Sequence, residues 1–113
     1  MRALLAAILC APLGALSQVL INEVLPNPNN PFVEEWVELY NPSAVDADVS
    51  SFVVSDDHGF GASGAVELAG GSTVPAGGFL VVVLRTSDGY LNNGGDKAQL
   101  FDADGVLLDE VEW

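Results

Sequence analysis

Apolar positions along the chain recur in short runs rather than at helical spacing, and Gly, Pro, Asn and Asp separate the runs. Val19–Leu25 and Glu35–Tyr40 each alternate or mix apolar and polar residues over a strand's length. The prolines at 26, 28 and 31 forbid regular pairing between them, and Asn41-Pro42 stops the second run. Ser51–Ser55 reads as a third strand, Ala65–Leu68 as a weaker fourth. Pro75-Ala76-Gly77-Gly78 is a turn leading into Phe79–Leu84. That run is apolar on both parities, which predicts a central strand covered on both faces. The last elements predict a hairpin: Lys97–Phe101, the turn Asp102-Ala103-Asp104-Gly105, then Val106–Trp113. Seven or eight strands in so short a chain predict an all-β, immunoglobulin-like β-sandwich.

The first 17 residues break this pattern. Met1-Arg2 followed by an apolar run to Leu16, with Ala15 and Ser17 as small residues near a cut before Gln18, predicts a cleavable signal peptide over 1–17. The run is shorter than the roughly 20 residues a membrane span needs. Leu9 stands where a lipoprotein signal before Cys10 needs a small residue. The expected domain is therefore 18–113, secreted to the extracellular space, the periplasm or the cell surface, with no membrane span after cleavage. Its one cysteine leaves with the signal, so the apolar core alone must hold it.

Charge narrows the partners. Sixteen acidic residues face three basic ones, for a net charge of −13. Such a surface repels phosphates, which argues against nucleic acid. It also raises the question of cations.

Five stretches, INEVLPNP, EEWVELYNPS, VSSFVVSDD, VPAGGFLVVV and GGDKAQLFDADGVLLDEVEW, occur in an order that resembles the lamin tail domain in the form carried by secreted prokaryotic proteins. The resemblance spans essentially all of 18–113. It implies an immunoglobulin-like sandwich, used as an accessory module on surface proteins or secreted hydrolases and nucleases. It brings no catalytic residues.

The residues themselves offer little catalysis. Ser55-Asp56-Asp57-His58 holds triad residue types, but neighbours on an extended segment point apart, and the chain has one histidine. No cysteine or second histidine supports a zinc site. Glycoside hydrolysis needs two acids across a cleft, which a small sandwich has little material to build. Asp56, Asp57, Asp102 and Asp104 are the candidate metal ligands, with calcium the one cofactor to consider. The 102–105 stretch lacks the distal bidentate carboxylate of a calcium loop and reads better as a turn.

Strand parity singles out two further sets. Glu23 is in phase with Ile21 and Leu25, Glu35 with Val37 and Leu39, and Asp109 with Leu107, Val111 and Trp113. On core-facing positions these three structural carboxylates must accept hydrogen bonds. The other face of the second strand carries Trp36, Glu38 and Tyr40, two aromatics flanking an acid, which suits docking of a protein or glycan or, equally, a cross-strand aromatic cover. The expected function is a secreted, non-enzymatic interaction or targeting module. The alternatives are a calcium-stabilised structural module and the N-terminal part of a secreted hydrolase.

Overall fold

The computed structural model describes residues 19–26, 34–84, 91–92 and 94–113. The expected signal peptide lies outside them, as do Pro28 and Pro31. Among the described residues there is no helix, and nine strands follow in order. They are β1 (Leu20–Leu25), β2 (Glu35–Tyr40), β3 (Ala47–Asp48), β4 (Val53–Ser55), β5 (Val66–Glu67), β6 (Thr73–Val74), β7 (Phe79–Leu84), β8 (Lys97–Phe101) and β9 (Leu107–Glu112). The pattern reading misses β3 and β6, each two residues long, because so short a strand has no periodicity to detect.

Two sheets make the sandwich. One has the order β1-β2-β7, the other β9-β8-β4-β5, and β3-β6 form a small ladder beside them. Every pairing is antiparallel. Val37, Leu39, Val82 and Leu84 from the first sheet meet Val54, Ala98 and Leu100 from the second in one buried cluster, closed by Val19, Val49, Val74 and Leu91. Alternation is cleanest in β2, where every second residue is buried. β-Branched and aliphatic side chains fill the pleated inner faces.

Two bulges reset the parity. In β1 the register slips between Ile21 and Glu23, so Asn22 is the extra residue. In β9 it slips between Leu107 and Asp109, with Leu108 as the extra residue. A bulge flips every later side chain to the other face. Glu23, expected in phase with Ile21, is therefore exposed, while Val24 packs on the core. Leu107 likewise falls out of phase with Asp109 and Val111 and is exposed.

A third correction concerns β7. It is not a central strand covered on both faces but an edge strand, with Val82 and Leu84 buried and Phe79, Val81 and Val83 left 51%, 50% and 37% exposed. Its apolar character on both parities reflects one face in the core and one apolar face in solvent.

Candidate interaction face

The outward face of the β1-β2-β7 sheet is laid out by register. Leu25, Trp36 and Val83 stand side by side across the three strands. The next row is Glu23, Glu38 and Val81, and the third is Leu20, Tyr40 and Phe79. Trp36, Glu38 and Tyr40 thus occupy the middle column, all half-buried. The Tyr40 and Phe79 rings stack with centroids 5.0 Å apart and planes 28° from parallel. The face is therefore two apolar–aromatic rows with an acidic row between them. The Asn22 amide donates to Glu38 Oε1 at 2.8 Å, so the bulged residue holds this carboxylate in place. Glu23 and Glu38 are direct cross-strand partners, a like-charge pair on a wet face.

The other two structural carboxylates do contact backbone. Glu35 is 4% exposed, and its Oε1 accepts the Leu91 N–H at 2.9 Å, tying the buried Leu91 to the first residue of β2. Asp109 Oδ2 accepts the Ile21 N–H at 2.8 Å and its Oδ1 the Glu110 N–H at 2.8 Å.

Asp56, Asp57 and His58 bring one ligand atom each to within 4.8 Å of one another. His58 Nδ1 lies 3.0 Å from Asp56 Oδ2 and 3.2 Å from Asp57 Oδ1. The expectation that these neighbours point apart is corrected here: Asp56 Oδ1 accepts the His58 N–H at 2.8 Å, and this tight turn, not an extended segment, returns the ring to the carboxylate. The hydrogen bond and charge of Asp56, with help from Asp57, raise the His58 pKa above its ordinary value. The serine does not join them. Ser55 is fully buried and its hydroxyl donates to the Gly59 carbonyl at 2.7 Å, so no Ser-His-Asp triad forms at this turn.

Asp102 and Asp104 are not grouped with this cluster. Asp102 Oδ1 accepts the N–H groups of Asp104 and Val106 at 2.9 and 3.0 Å, and Gly105 takes φ 85°, the geometry of a side-chain-capped turn.

One organising residue escapes the sequence reading, which treats Asn41 only as a strand stop. Asn41 is fully buried. Its amide donates to the Val45 and Val74 carbonyls at 2.7 and 3.0 Å, and its Oδ1 accepts from the Ser43 N–H and hydroxyl at 3.0 and 2.8 Å. All of its side-chain hydrogen-bonding capacity is used to fold the loop after β2 onto β6. The Asn-Pro-Ser sequence is the one signal that could have pointed to it.

Among the described residues no helix is long and apolar enough to cross a membrane. The family model described as Lamin Tail Domain matches residues 14–113. No curated protein matches the chain.

Proposed function

The chain belongs to the lamin tail domain family, an immunoglobulin-like fold, and on that premise we propose that it is a secreted, non-catalytic module that docks a protein or glycan through the Trp36–Glu38–Tyr40 face. The observation that carries this reading is the solvent-facing aromatic and aliphatic surface of the β1-β2-β7 sheet, with Phe79, Val81 and Val83 all exposed. A two-layer sandwich needs no apolar residues on an outer face for its own stability, and contiguous exposed apolar surface marks interaction sites. The N-terminal apolar run supports export, and the commitment of Ser55 to the Gly59 carbonyl supports a non-catalytic role. Such a module serves as an accessory domain on a larger extracellular protein.

Arrays of immobilised peptides and glycans test the reading directly. Signals given by the protein should be lost in the Trp36→Ala/Tyr40→Ala double variant and reduced in Glu38→Lys, with melting curves confirming that both remain folded. Signals indifferent to all three changes would remove the docking face.

A second reading, a calcium-stabilised structural module, draws on the grouping of Asp56, Asp57 and His58. Calcium takes about 6–8 oxygen ligands, and this cluster offers two carboxylates, one of them already accepting hydrogen bonds through both oxygens.

A further inference from the structure

Building on the docking face proposed above, we infer that the ligand is a cationic, extended peptide segment that adds as a fourth strand to the free edge of β7. Among the described residues β7 pairs only with β2 and forms the sheet's outer edge. Within the strand itself, charge, proline and bulge, three devices that normally blunt an edge, do not occur. Its sequence, Phe79–Leu84, has no charge and no proline, and its register with β2 runs unbroken from Glu35–Leu84 to Tyr40–Phe79. An edge of this kind is a template for strand addition, in which main-chain hydrogen bonds give affinity and alternate side chains give specificity.

Charge decides which strand it takes. A second copy would bring a net charge of −13 against another of −13, so self-pairing is opposed over the whole surface. A basic segment meets no such barrier, and the face supplies a specific complement. An added strand extends the three cross-strand rows by one column. In the middle row its side chain lies beside Val81, two strand spacings or about 10 Å from Glu38. A Lys or Arg side chain spans that gap by laying its apolar stem along Val81 and reaching the carboxylate with its head. There it relieves the repulsion between Glu23 and Glu38, which face each other across β1 and β2. In the outer rows the added side chains lie beside Phe79 and Val83, which favours apolar residues. The recognised pattern is apolar–x–basic–x–apolar.

The probe is the blocked peptide TVTRTVT, compared with TVTETVT, titrated into the ¹⁵N-labelled full protein at low salt. TVTRTVT should shift the backbone amides of β7 and bind at least about tenfold more tightly than its glutamate twin, with the difference shrinking as salt is added. Glu38→Gln should erase much of that preference while keeping binding, and Val81→Lys should abolish binding of TVTRTVT in a protein whose spectrum stays dispersed. Equal binding of the two peptides, shifts confined to other strands, no shifts at all, or self-association through β7 without peptide would each overturn the inference. Array signals that depend on Trp36 and Tyr40 while β7 amides stay silent would sink strand addition and leave the docking face standing. Shifts on β7 with arrays indifferent to those two residues would keep strand addition and remove the aromatic face.

Discussion

The Asp109 carboxylate accepts the backbone N–H of Ile21 at 2.8 Å, joining β9 of one sheet to β1 of the other across 88 residues of chain. The contact falls where both strands are bulged, between Ile21 and Glu23 and between Leu107 and Asp109. A bulge takes a backbone group out of its ladder, and here a carboxylate from the facing sheet supplies the partner.

Asp109→Ala should therefore destabilise the domain by about 1–3 kcal/mol, the usual consequence of stranding a half-buried N–H. Asp109→Asn keeps an acceptor oxygen and should lose less. Urea unfolding of the three proteins checks the order, and equal midpoints would show that water replaces the carboxylate at no cost.

Asn41 makes a sharper case, because its role depends on donors as well as acceptors. Asn41→Asp places an oxygen against the Val45 and Val74 carbonyls in a fully buried site. It should be at least as destabilising as Asn41→Ala, and both should lose more than about 2 kcal/mol. Thermal melts of both variants test the ranking; a well-tolerated Asp would mean that the loop after β2 rearranges.

The pattern of apolar residues is enough to place β1, β2, β7, β8 and β9 to within a residue or two, because each is a run of five or six residues rich in apolar side chains and bounded by turn-forming residues. It fails where the physics is not periodic. The phase of Glu23 and Leu107 is reset by bulges that no residue type announces, so counting by twos puts both on the wrong face. Phe79–Leu84 is apolar on both sides, and burial in the core cannot be told from an apolar solvent face by composition alone. The middle column, Trp36, Glu38 and Tyr40, is legible from parity, whereas its neighbours Val81 and Phe79 require the β2–β7 register. The importance of Asn41 lies in four hydrogen bonds to residues as far away as Val74, which only the fold brings together.

The like-charged Glu23–Glu38 pair predicts a stabilising substitution. Glu23→Lys turns the exposed cross-strand pair into one of opposite charge and should raise stability by about 0.2–1 kcal/mol, less at high salt. Denaturant midpoints at two salt concentrations measure it. A lowered midpoint would mean that Glu23 has a favourable partner that outweighs the repulsion.

For calcium the expected outcome is that the melting midpoint in millimolar calcium equals that in magnesium at matched ionic strength. A ligand of the native state must raise the midpoint in proportion to its binding, and the Asp56–Asp57–His58 group supplies few of the oxygens that calcium requires. A calcium-specific rise, abolished in Asp56→Asn, would establish the structural-module reading instead.

His58 should carry a readable pH signature. Its ring is 76% exposed, yet it sits against the Asp56 carboxylate, which is 6% exposed. The hydrogen bond to Asp56 is the largest cause of its raised pKa, followed by the charges of Asp56 and Asp57. Because the folded protein holds this proton more tightly than the unfolded chain, the stabilisation is fully present below the unfolded value of about 6.5 and is lost as the pH climbs through the folded value. Solvent screening at so exposed a ring keeps the effect small. An NMR titration of the His58 ring should give a midpoint above about 6.5, falling toward that value in Asp56→Asn and by a lesser amount in Asp57→Asn. A midpoint unmoved by Asp56→Asn would mean that the turn does not hold the ring on the carboxylate in solution.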